Sequence, residues 1–462
     1  MREMDLYGSI VKHVFHPLWV FRNKSSLLKY LKELEETQYY STEKIKNLQW
    51  MRLMTLLKHA YENCPFYRKR FLKVGLNPSQ ICSPDDLLKL PPLTKSDVQE
   101  NLLEMIAENY TKNELVRDTT GGSTGDPLVF YYSKDRRDSR NAAQIRHDRW
   151  SFWDIGDRAA YIWGAGGDIH SAKSLKDKFR NILLRRNSPF LNTYAMNEND
   201  MYFFAKKIKK FKPKAILGYA QSTTVFAKFL QEHKIFDIHP SAIVSSAEML
   251  LPEDRKLIEN VFHCKIFDRY GCREVGIIAN ECEAHEGLHV NAENLYVEFI
   301  REGKPVVGKS SEILITDLRN YAMPFIRYKI GDVSRLLKKP CPCGRGLPLM
   351  DTIEGRVTDF ITTPEGKLSS GVALTLYLIT NIAGIKQAQL IQEEINQLKV
   401  RLVKGKEFTK DSAKKLFDNI VKLVGNKVKI EIQYVNEIPK GPSGKCRFVI
   451  SKVLSNSLYE TK

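Results

Sequence analysis

The chain has 462 residues, more than one hydrophobic core ordinarily serves, so at least two domains are expected. Its 43% hydrophobic content is that of a soluble globular protein, and no stretch approaches the roughly twenty apolar residues that span a bilayer. A net charge of +18, from 72 basic against 54 acidic side chains, suits phosphorylated substrates, anionic surfaces or nucleic acid, but the lysines are spread along the chain and select none of these.

The first residues, MREMDLYGSIVKHVFHPLWVFRNK, lack the apolar core and cleavage site of a signal peptide. They read as a segment docked on the body of the protein, with a membrane-surface helix as the alternative. "SLLKYLKELEETQ" and "QWMRLMTLLKHAYENC" carry apolar residues at three-to-four spacing and predict helices. From about 115 to 335, "AAYIWG", "AILGYA", "SAIVSSAEML", "KIFDRYG", "LYVEFI" and "SEILITDL" read as strands. Helical stretches such as "STTVFAKFLQEHK" separate them, an alternation that predicts an α/β sheet protein. The last hundred or so residues change character. Two strands in "IKQAQLIQEEINQLKVRLVKG", the amphipathic helix "TKDSAKKLFDNIVKLVG" and the strand "KVKIEIQYV" predict a small α+β domain. The boundary falls near "IEGRVTDFITTPEGK". Eight cysteines in no disulfide-like pattern predict a reducing, cytoplasmic setting.

Five segments could carry chemistry. "DTTGGSTGDP" offers backbone N–H groups and hydroxyls that can wrap a phosphate, although a plain hairpin loop fits it equally. It lacks the Gly-Lys-Ser/Thr ending of a Walker A loop. "FDRYGCREVG" places Glu274 just past a strand end, where a carboxylate suits Mg2+; a salt-bridged surface turn is the plainer alternative. "RYKIGDV" places Asp332 where ribose hydroxyls could be held, or in an ordinary Gly-Asp turn. "IEGRVTDF" contributes Arg356, and "EIPKGPSGKCRF" sets Lys440 and Lys445 in a Pro/Gly-rich loop.

In this order and spacing the segments resemble the adenylate-forming superfamily of acyl-CoA synthetases, luciferases and carrier-protein adenylation domains. "CPFYRKRF", "LGYAQS", "SSAEML", "YGCREVG" and "CPCGRGLP" make the narrower match to the phenylacetate–CoA ligase branch, including CapK-type proteins of capsular polysaccharide loci. The resemblance implies a large N-terminal α/β domain, 1–355, binding ATP and acid, and a small mobile α+β C-terminal domain, 356–462, carrying the catalytic lysine. It implies that Thr120, Gly121, Gly122, Ser123, Thr124 and Gly125 hold the ATP phosphates, with Thr124 acting in catalysis. Ser246, Ala247, Glu248, Tyr270 and Gly271 would line the adenine pocket, and Glu274 would bind Mg2+. Asp332 would hold the ribose, Arg356 would assist from the hinge at Val357–Asp359, and Lys445 would bridge carboxylate and α-phosphate. Gly121, Leu128 and Arg273 depart from the residues usual in the superfamily at those places.

"NECEAHEGLH" and "KKPCPCGRG" offer Cys282, His285, Cys341 and Cys343, three thiolates and an imidazole in two close pairs. That set suits a closed structural zinc site, with His289 able to replace His285. The expected activity is ATP-dependent formation of an acyl-adenylate, followed by transfer to CoA, in surface polysaccharide or secondary metabolism. An acyl carrier protein or a sugar amine or hydroxyl is the alternative acceptor. A non-catalytic nucleotide-binding homologue is the alternative of another class. No nucleic-acid module is recognised, no transmembrane segment is expected, and homodimerisation is left open.

Overall fold

The computed structural model describes residues 5–120, 128–163, 175–185, 188–193, 196–356, 360–364, 368–370, 382, 384–405, 407–438, 449–451 and 453. The chain opens with a continuous helical run, Leu6–Ile10, a π turn over Val11–Phe15, and His16–Arg22. Leu27–Thr37 and Thr42–Asn63 follow; the second starts where the Ser41 hydroxyl accepts from Lys44 N, and Pro65 opens the next helix, Pro65–Lys73. Their inner faces (Leu53, Leu57, Tyr67, Phe71) share a core with Phe130 and Phe325. Tyr67 fixes the contact by donating its hydroxyl to Pro324 O at 2.7 Å.

An eight-stranded sheet forms the centre, in the order Leu349–Met350, Leu288–Val290, Gly276–Glu281, Lys265–Cys272, Ala242–Ser246, Ala215–Tyr219, Ala159–Trp163, Phe190–Asn192. The last five pair in parallel and the first three antiparallel. The parallel strands read as near-continuous apolar runs because both faces are covered. Ile162, Ile216, Ile243 and Ile266 pack under the helices Glu198–Phe211, Ala220–Glu232 and Pro252–Phe262. Their neighbours Ala215, Leu217, Val244 and Phe267 turn to the opposite face, toward Phe152 and Trp153.

A second, five-stranded antiparallel sheet has the order Lys304–Pro305, Leu295–Arg301, Ser311–Asp317, Tyr328–Ser334, Gly355–Arg356. From Ile361 onward the buried residues form their own cluster. A four-stranded sheet, Lys429–Tyr434, Gln397–Lys404, Ile385–Glu394 and Val449–Ser451, packs Leu390, Val400 and Leu402 against Leu416 and Ile420 of the helix Lys410–Val424. Thr409 caps that helix through a capping box with Ser412. The helices and strands named from hydropathy therefore form where the pattern places them. No helix among the described residues is long and apolar enough to cross a membrane.

Candidate active site and metal centre

The glycine-rich loop hangs from a two-stranded hairpin, Leu115–Thr119 with Val129–Ser133, paired up to Thr119 opposite Val129. Thr120 closes its base: Thr120 N donates to Leu128 O at 3.0 Å and Leu128 N donates to the Thr120 hydroxyl oxygen at 2.9 Å. Leu128, where the superfamily usually has lysine, is fully buried with Phe130, so this position anchors the stem in the core. Gly121, Gly122, Ser123, Thr124 and Gly125 lie outside the described residues, as do Lys440, Lys445 and Val357–Asp359.

Glu274 sits in a three-residue hairpin loop between Lys265–Cys272 and Gly276–Glu281. Gly271 is required there, because a Cβ would lie 2.6 Å from Gly276 O. Two neighbours tie this loop to the rest of the site. The Tyr328 hydroxyl donates to Glu274 Oε1 at 3.2 Å. Arg273 reaches Asp118 on the stem of the glycine-rich hairpin at 3.5 Å. On the adjoining edge, the Tyr270 hydroxyl donates to Asp332 Oδ2 at 2.7 Å. Asp332 lies inside a strand rather than in a hairpin turn, and faces Arg356 in register. Tyr328 and the Tyr270–Asp332 link were not singled out from sequence. Sequence separation hides them, since Tyr270 and Asp332 meet only when the two sheets are packed.

Ser246 ends its strand, and Ala247 follows at φ +67°, a left-handed conformation uncommon for a residue with a Cβ. Glu248 accepts from Gln221 N at 3.0 Å, so its carboxylate sits at the positive N-terminus of the helix Ala220–Glu232. It thereby fixes the turn that presents Ser246 and Ala247. Deeper, the Ser245 hydroxyl donates to Asp268 Oδ1 at 2.8 Å. Burial, with the charge of Glu281 added, pushes the Asp268 carboxyl up to about 6. Trp163 and Tyr219, at the ends of neighbouring strands, bring their rings to 4.6 Å and form an aromatic wall beside this edge.

The antiparallel side of the sheet carries a different constellation. Cys282, His289, Cys341 and Cys343 hold their ligand atoms within 4.8 Å of one another. Cys282 Sγ lies 3.6 Å from Cys341 Sγ, and Cys343 Sγ lies 3.3 Å from His289 Nε2. A tetrahedron with metal–sulfur bonds of about 2.3 Å and metal–nitrogen bonds of about 2.0 Å has edges of roughly 3.5–3.8 Å, so the set is shaped for zinc. His289 Nδ1 lies 3.3 Å from Leu347 O, the outer hydrogen bond that leaves Nε2 free to ligate. Backbone N–H groups of Ala284 and Arg345 point at the sulfurs of Cys282 and Cys343. Burial pushes the Cys282 thiol up. Cys343, also pushed up by burial, ends below its usual value because Arg345 donates hydrogen bonds to it.

The expected fourth ligand, His285, is elsewhere. Its Nδ1 lies 3.1 Å from Glu281 Oε2 and its ring lies tilted against Phe267, with centroids 4.6 Å apart. The reason is register. His289 pairs with Asn280 on one side and Leu349 on the other, which sets it among the cysteines. His285 lies in the intervening turn at φ +52° and folds back on its own hairpin.

The eight-stranded sheet, the second sheet and the small C-terminal unit are the fold of the adenylate-forming ligases. A crystal structure of 2-hydroxyisobutyryl-CoA ligase in the postadenylation state, in complex with R3-HIB-AMP, superposes with a TM-score of 0.71 at 18% identity, covering 90% of this chain and 91% of that one. Among curated proteins, the chain is similar to CapK and to phenylacetate–CoA ligases. The chain is 26% identical to Protein CapK of Staphylococcus aureus over 453 residues, 95% of this chain and 98% of that protein. It is 28% identical to the phenylacetate-coenzyme A ligase of Escherichia coli strain K12 over 346 residues, 71% of this chain and 75% of that enzyme. Residues 361–452 match the CapK C-terminal domain.

Proposed function

We propose that this protein is an acid–CoA ligase that uses ATP to activate a carboxylic acid. One observation carries the reading: the Glu274 loop, the Tyr270–Asp332 pair and the stem of the 121–127 loop converge at the carboxyl edge of the parallel strands, joined by the Tyr328–Glu274 and Arg273–Asp118 contacts. That edge is where open α/β sheets bind ligands. The likeness to phenylacetate-coenzyme A ligases, and to a fold seen with an acyl-adenylate and CoA bound, supports it.

A carboxylate oxygen attacks the α-phosphorus of ATP, the bond from that phosphorus to the α,β-bridging oxygen breaks, and pyrophosphate leaves with its electron pair. The CoA thiol then attacks the acyl carbon of the mixed anhydride; AMP leaves and the thiol proton passes to solvent. In this reading Asp332, oriented by Tyr270, accepts from the ribose hydroxyls, and the loop 121–125, with Thr124, donates to the phosphates. Lys445 neutralises charge growing between carboxylate and α-phosphate. Glu274 is a single carboxylate at the phosphate end, a donor set that suits Mg2+ held jointly with phosphate oxygens; bound there, Mg2+ would supply charge neutralisation. The domains of the proposal are 1–355 and 356–462, with the hinge just after Arg356, so that the C-terminal unit can deliver and withdraw Lys445. The Cys282–His289–Cys341–Cys343 set would hold a structural zinc, its four protein donors leaving no position for substrate.

The test is acid-dependent ATP–pyrophosphate exchange over a panel of aryl and short-chain carboxylic acids. Lys445→Ala should lower exchange about 10²–10³-fold. Binding of ATP by the wild type with no exchange for any acid would establish a non-catalytic homologue instead. Adding CoA or a carrier protein to the exchange-positive acid then identifies the acceptor.

A further inference from the structure

We propose that the N-terminal helical run and the helix Leu175–Leu183 together form a docking face for an anionic phospholipid surface. The run from Leu6 to Arg22 is fixed to the body by one side only. Gly8, Val11, His16 and Val20 are buried there, and Gly8 packs so closely on Gly156 that a Cβ at Gly156 would lie 2.2 Å from Gly8 O. The other side carries Leu6, Ile10, Val14, Leu18 and Phe21, all exposed, with Leu6 at 81%, Leu18 at 60% and Phe21 at 84%.

Spacings of four would drift around a regular α-helix, whose turn is 3.6 residues. The wider π turn at Val11–Phe15 takes back that drift and keeps the apolar residues in one stripe. The second helix lies alongside, because the Tyr7 hydroxyl donates to Leu183 O at 3.1 Å. It adds Phe179, 67% exposed, and Ile182 one turn later. Monomeric soluble proteins rarely leave so many large apolar side chains together in water.

Charge selects the occupant. Between Asp5 and Glu33 the sequence has no carboxylate and five Lys or Arg; Lys12 is paired with Asp154, while Arg22, Lys24 and Lys29 are exposed beside the stripe. Asp5 itself is paired with Arg158 and Arg185. An apolar stripe set among basic residues is the composition of an interfacial helix, whose apolar face enters the headgroup boundary while the cations meet anionic lipid. A second copy of this face would bring like charges together.

The test is flotation of the full-length protein with vesicles of phosphatidylglycerol and phosphatidylcholine in equal parts, against vesicles of phosphatidylcholine alone. Flotation with the anionic vesicles at low salt, and about tenfold or greater weakening in the double variant Leu18→Glu, Phe21→Glu, is expected. Both side chains are exposed, so melting temperature and vesicle-free ATP–pyrophosphate exchange should stay at wild-type values. Three results would each overturn the proposal: no flotation of the wild type, equal flotation of the double variant, or concentration-dependent self-association abolished by the double variant without any vesicle binding.

Discussion

The two halves of the central sheet do different work with the same backbone. At the carboxyl end of Lys265–Cys272, where the parallel half meets the antiparallel one, the strand and the hairpin loop after it are tied to the second sheet by single hydrogen bonds, Tyr270–Asp332 and Tyr328–Glu274. The antiparallel half ties short strands together through four side chains whose donor atoms meet within 4.8 Å. On the proposed function, one edge is a set of groups for a ligand; the other is a knot closed by its own residues. Parallel strands must be linked by helical crossovers, which free the loops at their carboxyl ends for function. Here the antiparallel pairing brings His289, on a strand, beside Cys282 just past a strand end and beside Cys341 and Cys343 in the loop before Leu349–Met350.

Substitutions in the two halves should therefore fail differently. The largest effect belongs to the open edge: Glu274→Gln should lower acid-dependent exchange about 10²–10³-fold, with melting temperature almost unchanged. Cys343→Ser should do the reverse. Zinc content by elemental analysis should fall and melting temperature should drop by roughly 5 °C or more, while the folded fraction keeps its exchange activity. Unchanged metal content would break the comparison. Tyr270→Phe keeps the ring but removes the hydroxyl that donates to Asp332, and should raise KM for ATP about five- to tenfold with kcat nearly constant.

The smallest effect concerns Asp268, beneath the open edge. Its folded-state value of about 6 lies above the 3.8 of a free aspartate carboxyl, so the folded protein holds the proton more tightly than the unfolded chain. That stabilisation is complete below about pH 4 and is lost as pH rises through about 6. Asp268→Asn should flatten the dependence of melting temperature on pH across this window, and a profile parallel to wild type would show that Asp268 does not titrate there.

Much of this was legible in the sequence because its signals are local. The short apolar runs in "AILGYA" and "SAIVSSAEML" fix strands that are buried on both faces, and the Thr409 cap followed by apolar residues at helical spacing fixes Lys410–Val424. Glu274 and Asp332 drew notice in the sequence because each lies close to a glycine, Gly271 and Gly331. His289 shows the limit. The spacing of "CEAHEGLH" presents His285 first, three residues from Cys282, but distance along the chain is a poor guide across a turn. Pairing with Asn280 and Leu349 sends His289 into the cluster and leaves His285 with Glu281.

The N-terminal run shows the same limit on a larger scale. Its composition allowed either a docked segment or a surface helix, and the structure gives each its own side: Gly8 and Val11 inward, Leu18 and Phe21 outward. Sequence alone determined which segments become strands and helices, and the residue types available for nucleotide and metal chemistry, since propensity, periodicity and turn chemistry act within a few residues. Only the tertiary structure decided which of those residues meet. Tyr270 with Asp332, Arg273 with Asp118 and His289 with three cysteines are set by sheet register and packing, which join positions up to 155 residues apart.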